Sequence, residues 1–516
     1  MSKILATLIA VVVVFVGLSG TVDAQKKVLV VGAASADAGK LDPHQTAQGA
    51  DKTLLNWVFN ALVRIKPGQA SPDFIEPDLA ESWSANSTGK EWTFKIRKGV
   101  QCHFGYGEFT AEDAAYSLKR SAAKETSAFA GDFAAIESAE AVDRTTLKVT
   151  LKNTIPSLLG LLSNYHGGMM VCKKAAEEMG TNFLKRPIGT GPFMFVEYQP
   201  QQFVKLTANK QYFRGAPELE AITYRYITSD STRDLAYQAG EIDMMFGQQT
   251  DAWVKRVRQA GGTKVVAMEP AELTSLYLNM TVKPLNDVRV RQAFLHAIDR
   301  KALAQFLGGD GAREPISVVP KGNLGTAALQ LPAFDLAKSK KLLAEAGYPN
   351  GISVKSVQST YPSLLRIMEA TQGQLRKAGI NLEIEPVDHP TYHAQIRKDL
   401  SAVTLYQAAR FPVADVYLTQ FFYSKSTVAT PTAITNFSHC AVADQEIEAA
   451  RSEQNPEKQK AYWRSAQEKI LNEVCAVPLV ENLVVWAWRD TLDLGYDMVG
   501  SLNLGPQIIE KTRFVR

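Results

Sequence analysis

The stretch from Ile352 to Ile384 leaves this chain the fewest ways to fold. Ile352 and Val354 alternate with polar neighbours, and Leu364, Ile367, Met368, Thr371 and Leu375 then recur at helical spacing. Gly379 stands just past the last of these, where a left-handed backbone suits glycine, and Ile380, Leu382 and Ile384 alternate again. A strand, a helix and a strand in that order lie parallel, because the crossover returns the chain in the same direction. Parallel strands need helices over their faces, so this half of the chain is α/β. The first half carries more strand and turn signal. Val28 to Ala34 reads as a buried strand, and Trp92, Phe94 and Ile96, like Leu147, Val149 and Leu151, mark half-buried ones. Thr110 and Asp113 form a capping-box pattern at the start of a helix through Arg120. From Asp287 a further helix carries Val290, Ala293, Phe294, Ala297 and Ile298 on one face.

A chain of 516 residues has room for two or three lobes, each with its own core. The 57 basic and 53 acidic residues leave a net charge of +4, and no dense basic block occurs, which argues against a nucleic-acid partner. Lys3, the apolar run Ile4 to Leu18 and the small residues of Val22-Asp23-Ala24 read as a signal peptide, residues 1–24, cleaved before Gln25. The run is shorter than the roughly 20 residues that span a bilayer. The mature chain is therefore expected in an oxidising compartment outside the cytoplasmic membrane. There Cys102, Cys172, Cys440 and Cys475 can pair in three ways, among which the sequence does not choose.

Catalytic signatures are lacking. Gly32 and Gly39 lie too far apart for a phosphate loop, and Leu41 after Lys40 offers no magnesium ligand. His389 and His393 have the spacing of a metal-binding pair on a helix, but Pro390 between them points to loop histidines. No Gly-x-Ser-x-Gly elbow or His-Glu-x-x-His motif occurs. No cofactor is implied, and a secreted hydrolase would need a nucleophile–base pair that the sequence does not display.

Eight segments in series resemble one family. They are Leu41-Asp42-Pro43-His44, Pro77 to Trp83, Phe94 to Val100, Phe109 to Arg120, Pro187 to Phe193, Ala239 to Asp243, Asp287 to Arg300, and Ala337 to Pro349. Together they are similar to the large periplasmic solute-binding proteins of ABC importers, the peptide/nickel-type family 5. Most of these residues are turn and core chemistry that identifies a fold. The resemblance implies an α/β, two-lobed periplasmic-binding-protein fold, type II, large cluster C, with an extra subdomain inserted in lobe I. Lobe I would comprise residues 25–270 with the tail 487–516, and lobe II residues 271–486. Crossing strands would lie near Ser275 to Met280 and Val484 to Trp488, and a hinge would close the lobes over a solute. A periplasmic monomer serving a permease and its ATPase subunits is the implied function, with an oligopeptide or dipeptide receptor as the alternative.

By resemblance three segments line the cleft: Ala47, Gln48 and Gly49; Tyr277 and Asn279; and a loop from Tyr406 through Gln407, Arg410, Phe411 and Asp415 to Tyr417. Peptide-binding members carry an Asp in that loop to hold the peptide ammonium; here Arg410 takes the place. A guanidinium repels an ammonium and suits a carboxylate or phosphate, so an anionic, non-peptide solute is expected. The alternative for Arg410 is an internal ion pair with Asp415. Tyr277, Tyr406, Phe411 and Tyr417 are candidates to stack on a flat or sugar-like solute, or to pack internally.

Overall fold

The computed structural model describes residues 26–515 apart from 47, 156, 165–166, 309–310, 431–434, 454 and 503. The expected signal peptide and Ala47 lie outside these residues. Two long antiparallel strands, Thr263–Leu278 and Ala476–Arg489, form the spine of a mixed nine-stranded sheet. Beyond Ala476–Arg489 follow Met244–Phe246, Val28–Ala33, Ala221–Tyr226, Phe203–Ala208 and Phe193–Gln199; beyond Thr263–Leu278 comes Val403–Ala408.

Each half of the spine feeds a different core. Met268, Val484, Trp486 and Trp488 are buried with Leu29 and Val31, whereas Leu276, Leu278, Val477, Leu479 and Val480 are buried with Phe294 and Leu405. The handover falls at Glu269-Pro270-Ala271. Proline brings no N–H to a ladder, and the register there jumps from Met268 opposite Val484 to Glu272 opposite Asn482, leaving a bulge. Of the segment expected at the crossing, Ser275–Leu278 lie in this strand on the second core's side, and Met280 lies past its end. A Glu-Pro pair reads in sequence as a break, which hides the place where the strand passes between lobes.

An ion network pins this handover. Arg313, in the short strand Ala312–Arg313 on the edge of Ala476–Arg489, donates from Nε to Glu481 Oε2 at 2.6 Å and from Nη2 to Glu269 Oε2 at 3.1 Å. The Glu481 side chain is fully buried and its other oxygen accepts the Lys321 N–H at 2.9 Å. Burial raises the Glu481 pKa, and Arg313 opposes that shift. One guanidinium therefore ties both spine strands together at the point where they change lobe.

The parallel unit stands as expected. Ile352–Ser359 and Ile380–Val387 pair from Ile352 opposite Ile380 to Ser359 opposite Val387, joined by the helix Pro362–Lys377. Gly379 has φ +86°, a conformation that side chains with a Cβ avoid. In the first lobe, Ala80–Ala85, Glu91–Ile96, Thr146–Leu151 and Ile136–Asp143 make a separate antiparallel sheet. Asp113 Oδ2 accepts the Thr110 N–H at 2.8 Å and so caps the helix Ala111–Ala122. Disulfides join Cys102 to Cys172 and Cys440 to Cys475. Among the described residues no helix is long and apolar enough to cross a membrane.

Replacing Arg313 by Met strands a buried carboxylate. We expect Arg313→Met to lose about 3–5 kcal/mol of stability at pH 7 in urea melts. With burial unopposed, the folded pKa of Glu481 lies above its unfolded value. The loss is then full above the folded pKa, fades as pH falls from there to the ordinary carboxylate value, and is gone below it. A loss of equal size at pH 4 and pH 8 would contradict this account.

Candidate functional site

The Leu41-Asp42-Pro43-His44 motif is a scaffold. Asp42 is fully buried and accepts Arg120 Nη1 and the His44 N–H, both at 2.9 Å. His44 accepts Arg120 Nη1 on Nδ1 at 2.8 Å and donates from Nε2 to the Met169 carbonyl at 2.8 Å. Burial, with help from the Arg120 charge, takes its pKa down to about 4, so the ring is neutral. The helix Gly49–Leu55 follows, and Asp51 Oδ2 ties its first turn back to the Gly39 N–H at 2.9 Å and to Thr46 Oγ1 at 3.2 Å. Gln48 and Gly49, expected in the cleft, are exposed at the start of this helix. The next residue after Asp51, Lys52, is only 7% exposed, and its ammonium lies 5.5 Å above the Phe129 ring.

Lys52 meets charges from elsewhere in the fold. Its pKa falls to about 7, first through burial and then through Arg410; Glu272, Asp132 and Asp51 oppose the fall. Glu272 stands just past the bulge in Thr263–Leu278 and accepts Gln407 Nε2 at 2.6 Å. Its pKa is raised by burial, against Gln407, Lys52 and Arg410. Asp132 comes from the loop before the strand Ile136–Asp143, and its pKa is also raised by burial, against Arg410 and Lys52. The charges of Lys52 and Arg410 and of the carboxylates Glu272, Asp132 and Asp51 thus act on one another where the lobes meet.

Arg410 follows the strand Val403–Ala408. Its Nη1 donates to the Ala409 carbonyl at 2.9 Å, its Nε donates to Gln420 Oε1, and its backbone N–H donates to the Tyr417 hydroxyl at 3.1 Å. The guanidinium lies 5.2 Å above the Phe421 ring. Burial opposes its charge, but Tyr406, Tyr417 and Asp132 outweigh burial and raise the pKa. Asp415, offered above as its internal partner, instead accepts Arg451 Nε at 3.3 Å. It sits in the first turn of the helix Ala414–Phe422, pointed at a neighbouring helix, Asp444–Ser452.

The aromatic residues mostly pack on one another. Tyr277 stacks on Phe421 at 5.4 Å, Tyr406 lies 5.1 Å from Phe437, and the Tyr417 hydroxyl donates to the Ala408 carbonyl at 3.1 Å. Phe411 crosses between lobes: a Cβ on Gly160 would lie 1.9 Å from its ring. Only glycine leaves room for that contact. Asn279 is not brought to the others, because it lies past the end of its strand, donating to Asp399 Oδ1 at 3.0 Å and accepting Thr281 Oγ1 at 2.6 Å.

His389 and His393 are not loop residues. Pro390 occupies the first turn of the helix His389–Arg397, where its missing N–H costs nothing, and the two Nε2 atoms lie 3.2 Å apart. Metal ligation through His393 Nε2 would place a proton on Nδ1, which is buried without a partner. The pair is therefore a hydrogen-bonded one. Among the described residues no cluster of three or more His, Cys, Asp or Glu could hold a metal.

Lys52, Asp132, Glu272 and Gln420 were not expected from sequence. Glu272 left a signal, a lone charge in the otherwise uncharged run Ala271 to Leu278. Asp132 and Lys52 left none, since their charged neighbours come from segments distant in the chain.

Known proteins share the family and the fold. Residues 75–428 match the family described as bacterial extracellular solute-binding proteins, family 5 Middle. A Brucella ovis protein named as a candidate ABC transporter peptide-binding protein is 32% identical over 336 residues, 63% of this chain; the match spans 62% of that relative's length. MoaA of A. tumefaciens R10, solved in complex with mannopinic acid, is 46% identical with a TM-score of 0.87, covering 95% of this chain and 100% of MoaA. DppA of Helicobacter pylori, solved with the peptide STSA, is 26% identical with a TM-score of 0.82, covering 95% and 99%. AgaA of A. tumefaciens R10, solved with agropinic acid, shares the fold at 21% identity and a TM-score of 0.81, covering 95% and 99%. With a two-lobed fold on a crossing spine and a family match over most of its length, this chain belongs to the family 5 bacterial extracellular solute-binding proteins.

Proposed function

We propose that the protein is the solute receptor of an ABC importer, exported by a signal peptide cleaved before Gln25 and working as a monomer outside the cytoplasmic membrane. It captures a small organic acid that also carries a cationic nitrogen and delivers it to a permease with ATPase subunits. The carrying observation is the cluster of Lys52, Arg410, Asp132 and Glu272, whose charges act on one another where the lobes meet, Lys52 buried and the other three half-buried. A buried charge needs an opposite partner, so a solute entering here gains most when it offers both signs. Arg410 suits a carboxylate, because its planar fork matches two oxygens. MoaA, at 46% identity, was solved with an acid, which supports this solute class. The protein is then a binder, without a catalytic step.

A peptide receptor is the second reading, favoured by one observation. Glu272 and Asp132 supply the carboxylates for an α-ammonium that the Arg410 loop lacks. Calorimetry with mannopinic acid against a neutral dipeptide separates the two. The acid is expected to bind more tightly; tighter binding of the dipeptide, with no heat from the acid, would overturn the first reading.

Arg410→Ala should cost about 2–5 kcal/mol of affinity for the acid by calorimetry, the range for truncating one partner of a buried charge pair. Arg410→Lys should recover part of it, because an ammonium cannot reproduce the fork.

Lys52 gives the ligand-free protein a pH signature. Its pKa is about 7 in the folded chain against an ordinary 10.5. The cost of its buried charge is full below pH 7 and is relieved as pH rises from 7 to 10.5, where the unfolded chain holds the extra proton. Lys52→Met should therefore raise the melting temperature by several degrees at pH 6 and by less at pH 9.5. A gain independent of pH would contradict the assignment.

A further inference from the structure

The helix Ala414–Phe422 runs apolar along its buried side, through Ala414, Tyr417, Leu418, Phe421 and Phe422. Gln420 breaks that pattern while only 9% exposed. A buried carboxamide is costly unless both its ends are bonded, and both are. Its Oε1 accepts Arg410 Nε, within its own lobe. Its Nε2 donates to Asp132 Oδ1 at 3.0 Å, in the opposite lobe and 288 residues away in the chain. Asp132 is held there by its neighbour Phe133, which is fully buried in the first core.

The chemistry of the position is narrow. A guanidinium offers only donors and a carboxylate only acceptors, so the group between them must accept at one end and donate at the other. Glutamine does both without charge. A glutamate there would keep Arg410 but set two carboxylates face to face; a leucine would leave Arg410 Nε and Asp132 Oδ1 without the partner seen here. The connection also has a geometric condition. Arg410 and Gln420 share a lobe and stay together in any state, whereas Asp132 arrives only when the lobes are shut.

We propose that Gln420 is a positioning residue that couples the Arg410 anchor to lobe closure, by bonding Asp132 across the cleft only in the closed state. A solute that orients Arg410 thereby orients the Gln420 amide for its bond to the other lobe. Closure in turn fixes Arg410 against the solute. The effect falls on release more than capture, because the bond forms after the solute has entered. The measurements with the acid rest on the acid-binding reading above; the same measurements with the dipeptide do not.

The test exchanges the two groups. Gln420→Leu should speed dissociation of mannopinic acid about 10- to 100-fold, the range for a hydrogen bond to a charged group, with the association rate within a few-fold of wild type. Gln420→Glu alone should do at least as much. Combined with Asp132→Asn, which restores a donor opposite a carboxylate, it should recover most of the loss. Small-angle scattering should follow the same order, with Gln420→Glu less compact under saturating acid than wild type or the double exchange. A residue with only a packing role would show no such rescue. If mannopinic acid fails to bind wild type, the acid-binding reading fails. The exchange is then scored on dissociation of the dipeptide, where the double variant should again recover most of the loss. Wild-type dissociation in Gln420→Leu, or no rescue by Asp132→Asn in either measurement, overturns the proposal.

Discussion

The pairing of Thr263–Leu278 with Ala476–Arg489 is the interaction from which both lobes are built. A ladder of backbone hydrogen bonds is stiff along its length, and each half of this one is sealed into a different core. The ladder shifts register twice, by one residue between Thr274 and Ser275 and more widely at the Glu269-Pro270-Ala271 bulge, where a proline brings no donor and three residues face one. Arg313 bonds to Glu269 on one strand and Glu481 on the other at that same place. The weak point of the ladder is thus held by charge rather than by backbone bonds, and charge contacts tolerate rotation better than a continuous register does.

Placing ionised groups between the lobes follows from the same layout. A lone charge at a closing interface would be left without water, so each sign must be met by the other. Lobe I supplies Lys52 and Asp132, and Arg410 comes from lobe II. Glu272 comes from the spine just past the bulge. Both signs are thus present at the junction, with Asp51 adding a third carboxylate beside Lys52. That is a different solution from a peptide clamp with one acid and one base at fixed separation, and it is reached with residues scattered from position 51 to position 410.

The fold was legible where local chemistry decides it. The parallel unit at 352–387, the glycine at 379 and the Asp113 cap each depend on neighbours close in the chain, and each is found as expected. The bulge in the crossing strand was not legible, because it is written as Glu-Pro, which reads as a loop. The site was legible only in part. Arg410 stood out because it replaces an acid. Its partners did not, because Asp132 reaches it through folding of a distant loop, and Asp415, nearer in sequence, turns toward Arg451 instead. Tyr277 and Tyr417 look like solute-stacking residues until the rings of Phe421, Phe422 and Phe437 are seen around them.

Gly160 sets a condition on closure. Its bare backbone is the floor on which the Phe411 ring comes to rest, with no space for even a methyl group between them. Such a seat behaves like a gauge of closure: the two halves reach this arrangement only when nothing as large as a methyl group lies between the ring and that backbone.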